Sequence, residues 1–165
     1  MRVNVSDIVK TEGAGIDVNY SGDLPGLHEF DNSVEFKPSF DFTGRIVNFG
    51  GLLKLSGKLH FEFVADCIRC LKPVETAMDI EVNEVFGEVF DPDEVDAYIY
   101  EGNVVDIEKP LIDNIILALP TKIICSEDCK GLCKNCGANL NFKNCNCDES
   151  EIVDSRMEIL KDFFK

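Results

Sequence analysis

Six of the eight cysteines in this 165-residue chain, Cys125, Cys129, Cys133, Cys136, Cys145 and Cys147, fall within 23 residues, and the other two form an earlier Cys67-Ile-Arg-Cys70 pair. Thiols this dense must end as disulfides, redox groups or metal ligands, and each outcome fixes how the chain is cross-linked. The sharpest piece is Leu132-Cys133-Lys134-Asn135-Cys136-Gly137. Two intervening residues let both sulfurs face one ion, and the glycine permits the positive φ of a tight turn. Structural zinc takes four ligands, and Cys145-Asn146-Cys147 returns after a short loop, so Cys133, Cys136, Cys145 and Cys147 form the first expected zinc set. Cys67, Cys70, Cys125 and Cys129 are also two short-spaced pairs, and parity allows a second zinc that staples residue 67 to residue 129. Spacing leaves other partitions open, such as Cys129 and Cys133 acting with Cys136 and Cys145.

Four disulfides would need an oxidising compartment, whereas Met1-Arg2-Val3-Asn4-Val5 lacks the apolar run of a secretory signal. The expected location is therefore cytoplasmic, with zinc as the cofactor. A redox role for Cys67 and Cys70 fits poorly, because a thioredoxin-like pair opens a helix and this one ends a strand-like run before Pro73.

The formal net charge of -15 is unevenly spread. Residues 1–75 hold 11 acidic and 8 basic side chains, residues 76–165 hold 20 and 8, and residues 79–108 contain no Lys or Arg at all. Such a chain is repelled from a naked duplex at long range, since nucleic-acid affinity rests on cations that neutralise phosphates. In residues 79–90 the carboxylates alternate with Ile80, Val82, Val85, Phe86, Val89 and Phe90, which sets apolar anchors beside charge. Glu84, Glu88, Asp93 and Glu94 are accordingly the expected contacts for a basic protein; the competing reading is a solvated face.

No apolar run reaches the roughly 18 to 20 residues of a membrane span, and no membrane association is expected. The chain has only two histidines, His28 and His60, no Trp and no phosphate-cradling glycine motif. With no nucleophile paired to a base, neither catalytic residues nor a small-molecule substrate are expected. His60 sits on the strand parity opposite Leu59 and Phe61, which places it toward solvent.

The pattern predicts an α+β fold. Val34, Phe36, Phe40 and Phe42 share one parity, Gly50-Gly51 turns the chain, and Leu59, Phe61 and Phe63 continue on one face, so residues 34–67 read as an antiparallel meander with a bend or bulge at Gly57. Strand character resumes over residues 74–90, which puts Cys67 and Cys70 on a hairpin turn. Asp91-Pro92-Asp93 breaks the chain, and short strands are expected at 97–100 and 104–107. Pro110 opens a helix whose stripe is Leu111, Ile112, Ile115, Ile116 and Leu119, and Pro120 ends it. Val153, Met157, Leu160 and Phe164 mark a terminal amphipathic helix. The expected organisation is an antiparallel β domain over 1–120, a cysteine-rich zinc module over 121–150 and a C-terminal helix over 151–165.

Three segments in this order, Cys67-Ile-Arg-Cys70-Leu71-Lys72-Pro73, Ile115-Ile116-Leu117-Ala118-Leu119-Pro120, and the run from Cys129 through Cys133-Lys134-Asn135-Cys136-Gly137 to Asn141, resemble the YceD family. The likeness runs from about residue 30 to the end. It departs at Lys134 and Lys143, where the family often has Pro or small residues. The resemblance implies a ribosome-biogenesis factor without known catalysis, associated with accumulation of large-subunit ribosomal RNA in bacteria and plastids. Combined with the acidic stretch, the expected partner is a basic ribosomal or assembly protein. The rivals are direct binding of ribosomal RNA through Lys122, Lys130, Lys134 and Lys143, and a zinc or thiol redox enzyme.

Overall fold

A computed structural model describes residues 1–27, 34–88 and 97–147. Its centre is a long antiparallel ribbon: β3 (Val34–Phe49), β4 (Leu52–Asp66) and β5 (Pro73–Gly87). The strands alternate apolar and polar residues, so one face of the sheet is buried and the other is wet. Phe36, Phe40, Phe42 and Ile46 of β3, Leu55, Leu59, Phe61 and Phe63 of β4, and Val82 and Phe86 of β5 form the buried face. Four of the phenylalanines, Phe36, Phe40, Phe61 and Phe63, pack with ring centroids 6.1 to 6.5 Å apart.

The meander is wider than its sequence signature. β2 (Gly15–Gly22) pairs antiparallel with β3 from Gly15↔Val47 to Gly22↔Phe40, and β6 (Tyr98–Ile99) joins the far side in parallel, giving the order β2-β3-β4-β5-β6. A second, two-stranded sheet joins β1 (Arg2–Asn4) to β7 (Val104–Asp106). The sheet's inner face is covered by Ile8 of α1 (Ser6–Val9), by Leu24 and Leu27 around a short 3-10 turn, and by Leu111 and Ile115 of α2 (Glu108–Ala118). α2 ends where Leu119 turns extended, with ψ 130°, as the residue before Pro120 must.

The bulge expected at Gly57 is not there. β4 passes through Gly57 in unbroken register, Gly44↔Gly57↔Val82, and the irregularity lies on β3 between Phe36 and Phe40. That stretch holds Pro38, whose missing N–H cannot serve a ladder. Gly57 and Gly44 have a different task. A Cβ on Gly57 would stand 2.6 Å from the Thr43 carbonyl oxygen and 2.7 Å from both Gly44 Cα and Phe42 Cζ. The two glycines therefore let neighbouring backbones and the Phe42 ring close up. Asn48 is the buried polar residue of the described core: its Nδ2 donates to the Ile8 and Val9 carbonyls at 2.8 and 2.7 Å, which ties α1 to β3.

His60 faces the wet side of the sheet and pairs through Nδ1 with Asp79 at 2.8 Å. The expected break at Asp91-Pro92-Asp93 and the stripe of Val153, Met157, Leu160 and Phe164 lie outside the described residues. Among the described residues no helix is long and apolar enough to cross a membrane.

Candidate metal centres

The β4–β5 hairpin carries its cysteines on the tip, and the backbone there makes a knuckle. The Cys67 N–H donates to the Lys72 carbonyl at 2.8 Å and the Leu71 N–H to the Cys67 carbonyl at 2.9 Å. The module repeats the pattern: Cys133 N–H to the Ala138 carbonyl at 2.8 Å, and Gly137 N–H to the Cys133 carbonyl at 2.9 Å. In each the residue after the second cysteine is left-handed, Leu71 at φ 57° and Gly137 at φ 71°. This conformation closes the turn so that both sulfurs of a Cys-x-x-Cys pair leave it on one side.

Opposite each knuckle stands a second pair. The structure brings Cys67, Cys70, Cys125 and Cys129 into one set and Cys133, Cys136, Cys145 and Cys147 into another, with all sulfurs of a set within 4.8 Å of one another. This is the pairing in which residue 67 meets residue 129; Cys129 and Cys133 fall in different sets. In the first set Cys67 Sγ and Cys129 Sγ are 3.9 Å apart and Cys70 Sγ and Cys125 Sγ 3.6 Å. A tetrahedron of thiolates bound at about 2.3 Å has edges of about 3.8 Å, whereas bonded sulfurs stand about 2.05 Å apart. No disulfide joins any of the eight cysteines, and the spacing of the first set fits the edges of a four-sulfur cage.

The electrostatics of the two sets are alike. Burial opposes ionisation of Cys67, but the N–H groups of Cys125, Arg69 and Cys70 bring its thiol down to about 6. Cys133 is likewise lowered to about 6, first by the N–H groups of Cys136 and Asn135. Cys125 is pushed up to about 12 by its hydrogen bonds with Cys129 and Cys70, and Cys147 to about 12 by its bond with Cys136 and then by burial. Each set thus holds at least one thiol that ionises readily beside one or more that resist further negative charge. A divalent cation held by the four sulfurs would remove that resistance, because it would attract every thiolate.

Residues outside the cysteines hold the arrangement. Asn141, in the loop between Cys136 and Cys145, donates from Nδ2 to Cys129 Sγ at 3.3 Å and accepts at Oδ1 from the Lys130 N–H at 2.8 Å, so the loop of the second set supports a ligand of the first. That bond is the largest influence lowering the Cys129 thiol. Arg69 Nη1 donates to the Glu127 and Cys129 carbonyls at 3.1 and 3.0 Å, the Ile68 N–H to Ile123, and the Leu132 N–H to Arg69, which sews residues 123–132 to the hairpin tip. Spacing gave no sign of Asn141 or Arg69. Leu71 was open to detection, because aligning the two Cys-x-x-Cys segments sets it against Gly137.

The carboxylates expected to meet a basic protein are placed differently from one another. Glu84 shares the even parity of buried Val82 and Phe86 and accepts a hydrogen bond from Asn114 Nδ2 of α2. Glu88 raises the buried Tyr100 hydroxyl, after desolvation, through its charge and a hydrogen bond. Asp93 and Glu94 lie outside the described residues. The lysines of the rival reading, Lys122, Lys130, Lys134 and Lys143, are all exposed.

A family profile described as "Large ribosomal RNA subunit accumulation protein YceD" matches residues 55–164. The chain is 34% identical over 93 residues to an uncharacterized protein of Mycobacterium tuberculosis, covering 52% of this chain and 44% of that protein. It is 28% identical over 113 residues to an uncharacterized protein of Mycobacterium leprae, 65% of this chain and 52% of the other. A 41% identity over 51 residues links it to the "large ribosomal RNA subunit accumulation protein YCED homolog 1, chloroplastic" of Arabidopsis thaliana, covering 31% of this chain and 16% of the plant protein. The chain spans about half the length of the mycobacterial relatives it matches. No solved structure matches it. Since the profile begins inside β4 and takes in the hairpin tip, α2 and all eight cysteines, the chain belongs to the YceD family.

Proposed function

We propose that this chain is a non-catalytic factor that supports accumulation of large-subunit ribosomal RNA, stapled by one zinc ion in each thiol set, and that it holds a basic ribosomal or assembly protein on its acidic side. The observation that carries the reading is the family match, which runs across both thiol sets. When bound, zinc supplies cross-linking charge and no open position, because Cys67, Cys70, Cys125 and Cys129, like Cys133, Cys136, Cys145 and Cys147, fill four-coordinate shells. The acidic side then acts by charge complementarity, shielding cationic protein surface until ribosomal RNA, with its greater charge density, takes over.

The test is complementation in cells depleted of the endogenous protein. The wild-type chain should restore the ratio of large- to small-subunit ribosomal RNA, and Cys70→Ser with Cys136→Ser should not; an unchanged ratio on depletion would remove the role. Pull-down with stepwise salt elution should release a protein with excess Lys and Arg at moderate salt.

A second reading has its own support. Residues 129–147 contain no Asp or Glu, three lysines at Lys130, Lys134 and Lys143, and Phe142 with 79% of its surface exposed. Exposed aromatics beside cations suit stacking on single-stranded RNA. Salt-dependent binding of ribosomal RNA by the purified protein alone would favour it.

A further inference from the structure

Among the described residues, β5 is paired on one side only for most of its length. It matches β4 from Asp66↔Pro73 to Leu53↔Phe86, while on the other side β6 meets only Phe86 and Gly87. Among the described residues, no strand lies against residues 73–85. In such a strand every second residue turns its N–H and C=O away from the sheet, and those groups can bind another extended chain. Protein edges are ordinarily guarded by charged side chains, lysine above all, by proline or by a bulge. Here the register has no shift, proline occurs only at Pro73, and the charged side chains are carboxylates alone, which turn away acidic strands and leave the edge open to a cationic one.

The side chains along this edge specify what would fit it. On the wet face stand Glu75, Asp79 and Glu81, with the side chains of Glu75 and Asp79 exposed to 74% and 80%. Few lysines of the sheet meet them: Lys37 is shared between Glu62 and Glu75 and Glu81 lies opposite Lys58, while Asp79 pairs with the His60 ring. On the inner face Val74, Met78 and Ile80 are only partly buried, at the margin of the core. A strand added here would continue the core with one row of side chains and face carboxylates with the other.

Charge decides the occupant. A second copy of β5 would bring carboxylates against carboxylates. The chain's own segments outside the described residues have the same sign: residues 148–165 hold six acidic and three basic side chains, 89–96 four and none, 28–33 two and none. We infer that the free edge of β5 binds, by strand addition, an extended segment of a partner protein in which Lys or Arg alternates with apolar residues. This rests on the reading that the partner is a basic protein and specifies how it is held: backbone pairing fixes the register, and Glu75, Asp79 and Glu81 select the cationic row.

The experiment uses the full chain as purified, with its metal, and a capped heptapeptide alternating valine with lysine. Two further peptides carry backbone N-methyl groups, on the valines in one and on the lysines in the other, so that each loses the N–H groups of one edge. Fluorescence anisotropy should show at least tenfold weaker binding for one methylated peptide and little change for the other, because only one edge pairs with β5. Charge reversal of Glu75, Asp79 and Glu81 to Lys should weaken the parent peptide at least tenfold, and amide exchange in β5 should slow on binding. Equal affinity of both methylated peptides would overturn strand addition while leaving a basic partner held by charge alone. No binding of the parent peptide at low salt would overturn it too, as would slow exchange of the outward β5 amides in the free protein, which would mean the chain covers its own edge.

Discussion

Leu71 holds, at φ 57°, the place that Gly137 holds in the second knuckle. A side chain in this region costs about 1–2 kcal/mol, so the hairpin knuckle forms against local preference and depends on the contacts around it. Glycines of the module separate conformation from space. Gly137 has nothing within 4 Å of a built Cβ, whereas at Gly131, with φ 74°, the Cβ would stand 2.9 Å from the Arg69 carbonyl oxygen. Gly131→Ala should therefore speed metal loss to a competing chelator more than Gly137→Ala, which adds only left-handed strain; equal rates would show that the Arg69 contact is immaterial. Asn141→Ala removes the donor to Cys129 Sγ. Supporting residues of this kind change metal affinity by about 10- to 100-fold, and the loss should fall on metal held by the first set rather than the second. In the sheet, Gly57→Ala forces a methyl against the Thr43 and Gly44 backbone and the Phe42 ring and should cost about 1–3 kcal/mol in urea unfolding; a loss under about 0.5 kcal/mol would mean that the strands part easily.

At the scale of elements, the hairpin and the module are joined by the first thiol set and by the Ile68, Arg69 and Leu132 bonds, and the second set closes only the loop from 133 to 147. Two single variants should behave differently in hydrogen exchange. Cys136→Ser should open residues 133–147 and leave the ribbon protected. Cys70→Ser should open both residues 123–132 and the strand ends around Asp66 and Pro73. Identical effects confined to the module would contradict the two-set arrangement. The ribbon was legible because Phe36, Phe42, Phe61 and Phe63 keep strict period two, and α2 because its apolar stripe is uninterrupted. β2 carries the same signal, with Ile16, Val18 and Tyr20 alternating with Asp17, Asn19 and Ser21. It passes unnoticed beside the stronger phenylalanine pattern. Gly57 was misread because a glycine in a strand marks either a bulge or a close approach, and only the facing residue, Gly44, decides which. Parity also foretold that Glu84 lies on the same side as Val82 and Phe86, a signal that the run of acidic residues obscured.

For the whole molecule, the sheet supplies one buried face and the thiol sets hold the C-terminal side to its hairpin tip, which leaves the acidic β5 side and the lysine-bearing module at the surface. Each four-thiolate zinc site would add two negative charges to the formal -15, so metal loading strengthens the attraction for cations. Acidification should release the ions, since protons compete for every thiolate. The most direct measurement is native mass spectrometry of the protein purified under reducing conditions, followed by thiol titration after chelation. Two zinc ions per chain and eight titratable thiols are the predicted result; a metal-free chain with no titratable thiols would contradict it.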